Sequence, residues 1–84
     1  MAKELISLAE LETEQMAVVA EIRGGYGLLG RLDALGIRPG IRLRKKIGYL
    51  FGGPIVVEIG NAQVALGFGM ARQVMVNIEE RNRA

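Results

Sequence analysis

Four groups of residues have types and spacings that could do chemistry. Gly25, Gly27 and Gly30 spell G-x-G-x-x-G after the apolar run Ala17 to Ile22 and at the opening of a helical pattern, the setting in which a dinucleotide fingerprint holds a pyrophosphate. That fingerprint also needs an acid about 20 residues further on for the ribose, yet no Asp or Glu lies between Asp33 and Glu58. The glycines therefore read as the means to a tight strand-to-helix corner. Arg38, Arg42, Arg44, Lys45 and Lys46 form a basic run that could track a phosphate backbone. The chain has only four aromatic residues, none alternating with that run, and a formal net charge of only +2. A solvated face, or a match to an acidic partner, is favoured over nucleic acid. Met16, Met70 and Met75 offer soft sulfur, but methionine is mostly filler in small cores. Glu10, Glu12 and Glu14 crowd a segment with no pocket to raise a carboxyl pKa.

The sequence has no cysteine and no histidine. Thiolate metal sites, disulfides, Cys or His nucleophiles and imidazole proton shuttles are thereby excluded. The expectation is a protein that is not an enzyme and carries no metal or cofactor. Residues 1–10, MAKELISLAE, lack a continuous apolar stretch, and no run approaches the 18 apolar residues of a membrane span. A cytoplasmic protein that does not insert into the membrane is expected.

These residues must be positioned by a single domain, since 84 residues leave no room for two lobes. The segment Gly24 to Gly40 is the one place where the apolar period changes from two to about 3.6. Leu28, Leu32 and Leu35 fall on one face, predicting a helix over 27–35. Gly36 stands where a left-handed cap would end it, and Pro39-Gly40 supplies a turn. Leu29 sits at the edge of that face beside Tyr26, where burial is favoured over exposure. Leu5, Leu8 and Leu11 suit a helical turn or an arm packed across the domain.

Elsewhere the period is two. Met16, Val18, Ala20 and Ile22 are expected inward on a first strand. On the next, Ile41, Leu43 and Ile47 point inward and Arg42, Arg44 and Lys46 outward, with Lys45 breaking the register at a bulge. Strands at 55–59 and from Val64 flank the two-residue turn Gly60-Asn61. A short turn carries Phe68 and Met70, and Val74, Val76 and Ile78 form the last strand. Twelve glycines among 84 residues fit many tight corners, so the class is all-β, a small barrel of about five strands with one short helix. Its expected core is Leu8, Val18, Ile22, Leu32, Leu35, Ile37, Leu43, Ile55, Val57, Val64, Leu66 and Val76.

Arg31 to Gly40 reads R-L-x-x-L-G-I-x-P-G, followed by a basic strand, Gly52-Gly53-Pro54, Val64-Ala65-Leu66-Gly67 and an A-x-x-V-x-V pattern. Over residues 7 to 79 this combination resembles the ferrous iron transport protein A (FeoA) family. The resemblance implies an SH3-like barrel, related to the C-terminal domain of iron-dependent repressors. It also implies an accessory role by contact with a FeoB-type membrane iron transporter and its G-protein domain. The alternatives are a small basic barrel that binds nucleic acid, or a regulatory module of a metal-dependent repressor system. Where many relatives carry a charge after the Ala-Leu of this strand, the chain has Gly67-Phe68-Gly69-Met70, a more apolar surface. The candidate contact residues are Tyr49, Leu50 and Phe51, an apolar loop between turn glycines, with Tyr26, Leu29, Arg42, Arg44 and Lys46. The same loop could serve self-association, since a neighbouring copy would bury it.

Overall fold

The alternating stretches find one another as antiparallel neighbours. A computed structural model describes residues 5–48 and 53–79. In chain order these hold β1 (Leu5–Ser7), a 3₁₀ turn (Leu8–Glu10), β2 (Met16–Ile22), α1 (Tyr26–Ala34) and β3 (Arg42–Ile47). Then come β4 (Ile55–Ile59), β5 (Ala62–Leu66), α2 (Phe68–Arg72) and β6 (Val74–Ile78). The described strands form one sheet in the order β1-β6-β2-β3-β4-β5. It is an all-β, SH3-like arrangement, but the sheet is open: β1 and β5 lie at its two ends and do not pair. It has one strand more than expected, because Leu5–Ser7 pairs with β6 over Leu5↔Asn77, Ile6↔Val76 and Ser7↔Met75. The expected turn around Phe68 and Met70 is the five-residue α2.

Two register shifts decide which side chains point inward. Between β2 and β6, Val19 faces Val76 and Glu21 faces Met75, leaving Ala20 as an extra residue. A bulge reverses the inward parity beyond it. Ala17 and Val19 are therefore buried before the bulge, and Ile22 packs against the core after it. Val18, expected in the core, is half-buried on the other face. The second shift lies between β3 and β4, where Lys45 faces Val57 and Ile47 faces Val56. Lys46 is the extra residue, one position beyond the expected bulge. Lys45 thus keeps the inward register of Leu43, and Ile47, expected inward, is 53% exposed.

The core joins Leu8, Leu11, Ala17, Val19, Leu32, Ile37, Leu43, Ile55, Val57, Leu66, Ala71, Val74 and Val76, with Ile22 and Val64 packed against it. α1 closes one side of it through its C-terminus. Gly36 has φ +88° and donates to Asp33 O at 2.9 Å, and Ile37 donates to Leu32 O at 2.9 Å. This is the paired-bond cap in which a left-handed residue turns the chain back over the last turn. Its apolar contact is made by Leu32 and Ile37, both fully buried. Leu35, the residue just before the glycine, is turned outward and 40% exposed, so the expected inner face stops at Leu32.

Leu32→Ala should therefore cost about 2–5 kcal/mol, as for other fully buried leucines. That is a fall in melting temperature of roughly 4–8 °C for each kcal/mol in a domain this small. Leu35→Ala, measured in the same thermal scan, should lower it far less. Equal losses would contradict the cap geometry.

Candidate functional site

The basic strand is matched by acids from distant parts of the chain. Arg42 Nε donates to Glu79 Oε1 at 3.0 Å. Lys46 Nζ lies 2.9 Å from Glu14 Oε2, and Arg44 lies 3.6 Å from the same carboxylate. Arg44 Nη2 also donates to Met16 Sδ at 3.1 Å. Arg38, beyond α1, donates to Asp33 at 3.0 Å. Each pair is exposed and contributes little stability alone. Together two carboxylates, Glu79 and Glu14, offset part of the positive charge that Arg42, Arg44 and Lys46 place on β3. The hydrogen bond from Lys46, aided by Arg44, holds the Glu14 carboxyl below its ordinary value of 4.5.

Lys45 is absent from that strip. Only 3% of it is exposed, and its ammonium donates to Leu8 O at 3.3 Å, to Ala9 O at 3.0 Å and to Leu11 O. These are carbonyls of the 3₁₀ turn and its cap; Leu8 O also accepts from Leu11 N at 3.2 Å, and the ammonium supplies the donor for Ala9 O and Leu11 O. Three N–H donors meet three acceptors, so the group is hydrogen-bonded without a counter-ion. Burial holds its pKa below the ordinary lysine value. The signal for this role was the shared parity with Leu43.

The corner between β2 and α1 carries the aromatic candidate. Arg23 N donates to Gln73 O at 2.8 Å, fastening the end of β2 to the turn before β6. A Cβ at Gly24 would lie 2.5 Å from Leu28 Cδ2, so Gly24 is where chain and helix approach closely. Gly25 is the extended N-cap of α1, and Gly25, Gly27 and Gly30 all face open space. The chain leaves α1 into a strand antiparallel to β2, so the parallel unit that a dinucleotide crevice requires is not formed. Tyr26 opens the helix with 93% of its surface exposed. Leu29 is half-buried beside it and lies outside the core cluster. Tyr26 and Leu29 share α1, whereas Arg42, Arg44 and Lys46 are on β3 with their acidic partners. Tyr49, Leu50 and Phe51 lie outside the described residues.

The methionines weighed as soft ligands are spread over three elements. Met16 and Met75 are half-buried on β2 and β6, and Met70 packs on the core from α2. Met16 sulfur accepts from Arg44. Among the described residues no group of three acidic, His or Cys side chains could hold an ion. No helix among them is long and apolar enough to cross a membrane.

An open antiparallel sheet with one capped helix, a charge-matched basic strand and an exposed aromatic corner defines a small SH3-like module. The family model of the FeoA domain matches residues 6–78, and the chain belongs to that family. A solved structure described as the iron uptake regulatory protein FeoA is 28% identical, with a TM-score of 0.82 over 90% of this chain and 99% of its own. A FeoA-like protein from Clostridium acetobutylicum, at 21% identity and a TM-score of 0.80 over 100% of this chain and 96% of its own, shares the fold. A manganese-dependent transcriptional repressor is 26% identical with a TM-score of 0.84 over 94% of this chain. The chain spans only 44% of that repressor's length. No curated protein matches the sequence.

Two measurements check this geometry. Lys45→Met keeps the stem volume but leaves the Ala9 and Leu11 carbonyls without their ammonium donor, and should cost about 3 kcal/mol. Amide exchange should accelerate first in residues 8–15; uniform acceleration across the sheet would contradict the assignment. Glu14 has a depressed pKa in the folded state, so its stabilisation is fully present above the unfolded value and lost as pH falls through the folded one. Glu14→Gln should therefore flatten the fall of melting temperature on the acid side of 4.5, with little change in the shape of the profile above it.

Proposed function

We propose that this chain is a non-enzymatic accessory protein of ferrous iron uptake. It acts in the bacterial cytoplasm by contact with a FeoB-type membrane transporter and its G-protein domain. The observation that carries this reading is the FeoA family match over residues 6–78. The FeoA neighbour adds support, because the likeness covers 99% of that protein but only 44% of the repressor. The sequence contains neither His nor Cys, which fits a protein that serves transport without catalysing a reaction or storing the ion.

The contact is centred on Tyr26 and Leu29 together with the loop residues Tyr49, Leu50 and Phe51. Tyrosine is a favoured anchor, offering a large rigid apolar area and one polar tip. Tyr26 is 93% exposed, so its ring is not spent on the core. Arg42, Arg44 and Lys46, whose charges are answered within the chain, act at the border of the contact. The likeness to the repressor supports a second reading, a regulatory module in a metal-dependent repressor system.

Pull-down with the tagged chain from detergent-solubilised membranes and from the soluble fraction separates the two. The first reading expects the transporter in the membrane eluate. Tyr26→Ala and Leu50→Asp should each reduce its recovery, with Tyr26→Ala changing stability by no more than about 0.5 kcal/mol. A wild-type chain that recovers no transporter would overturn the transport reading. Variants that bind as wild type would overturn the contact surface.

A further inference from the structure

The sheet ends on β5, and that end lacks the usual protection. Edge strands are ordinarily kept apart from other chains by charge, proline, a bulge or shortness. β5 reads Ala-Gln-Val-Ala-Leu, with no charge and no proline. Its five residues pair with β4 without a register shift. Among the described residues no strand lies on its outer side.

The turn that starts β5 fixes which backbone groups face outward. Gly60-Asn61 is a two-residue loop closed by the pair Ile59↔Ala62, and Gly60 has the φ of +60° that such a loop takes at its first position. The closing pair of a two-residue hairpin exchanges both hydrogen bonds, and bonded and non-bonded pairs alternate from there. Ala62, Val64 and Leu66 thus turn their N–H and C=O toward β4. Gln63 and Ala65 turn theirs to the open edge. Their side chains are exposed, whereas Leu66 is buried and Val64 packs against the core.

A second β5 laid antiparallel, with Val64 on the two-fold axis, sets Gln63 opposite Ala65 of the other copy on both sides of the axis. These are the two residues with outward backbone groups, so each can donate to and accept from its opposite. Val64 meets its own copy as a non-hydrogen-bonded pair, and no charge meets a like charge. We propose that β5 is a self-complementary edge through which two copies of this chain pair, joining their sheets into one. A strand of another protein could match the backbone, but the neutral side chains offer it no charge to recognise. This symmetry favours a second copy. The contact is small, below the roughly 1,200 Å² of stable specific interfaces, so pairing depends on concentration.

The absence of cysteine makes a clean cross-linking test possible. In the proposed pairing the Val64 Cα atoms are about 4.5 Å apart, within reach of a disulfide. The Ala65 Cα atoms are two positions out of register and beyond the roughly 7 Å limit. Under mild oxidation Val64→Cys should form a covalent dimer several-fold faster than Ala65→Cys, although Ala65 is the more exposed position. Sedimentation of the unaltered chain between about 10 μM and 1 mM, the range of a weak interface, should show a growing dimer fraction. Gln63→Lys/Ala65→Lys opposes like charges across the axis and should be monomeric; Gln63→Lys/Ala65→Glu opposes unlike charges there, with the new lysine also facing Glu58 of its own chain, and should keep the dimer. Equal cross-linking rates at the two positions would overturn the register. A chain that stays monomeric throughout, in both unaltered and Gln63→Lys/Ala65→Glu forms, would overturn the pairing. If Val64→Cys does not fold, the sedimentation series decides alone.

Discussion

One buried ammonium ties the first part of the chain to the sheet. Lys45 reaches the carbonyls of Leu8, Ala9 and Leu11 with its side chain. Its own N–H donates to Gln15 O at 3.2 Å, and its carbonyl accepts from Glu14 N at 2.6 Å. Through this residue the segment 8–15 is fixed at both ends, which lets Leu8 and Leu11 enter the core. Without a donor there, the 3₁₀ turn would bury carbonyls that water could no longer satisfy. β1, only three residues long, is too short to hold the arm by its own ladder. The anchored turn places it beside β6, together with Ser7 Oγ, which accepts from Ala9 N and donates to Ala71 O. Glu14 takes its positive φ of 72° in the same tight return toward β2.

The parts of this arrangement that were legible in the sequence are those with a local cause. Gly36 and Gly60 mark positions where the backbone turns left-handed, and both the helix end and the hairpin follow from them. The alternation of β4, β5 and β6 is likewise local. The inward parity of β2 and β3 is not, because each strand carries a bulge set by its partner. Reading period two through Ala20 exchanges Val18 for Val19, and placing the second bulge at Lys45 instead of Lys46 keeps Ile47 inside and puts Lys45 out. A lysine at an inward position looks like an interruption because burying its charge without acceptors is costly. The acceptors lie more than 30 residues away and belong to the backbone, where no residue type reveals them.

Of the candidate surface, the sequence placed Tyr26 and Leu29 at the edge of the apolar face of α1; Tyr26 is exposed, and Leu29, expected to be buried, is half-buried. The basic run was visible too, but its partial neutralisation was not. Arg42 meets Glu79 and Lys46 meets Glu14 only after β2 and β6 have taken their places beside β3. Charge counted along the sequence therefore exaggerated the field that a partner would meet.

That partial compensation weakens long-range steering by β3. Association driven by charge depends on an uncompensated patch that steers a partner from a distance. Here Arg42, Arg44 and Lys46 share the two carboxylates of Glu79 and Glu14, which leaves a small excess of positive charge that salt screens. On the proposed reading, contact then depends on features that work at short range: the exposed ring of Tyr26, the apolar side chains near it, and backbone groups on an open strand. Such features act only once surfaces touch, and they reward shape and register over net charge.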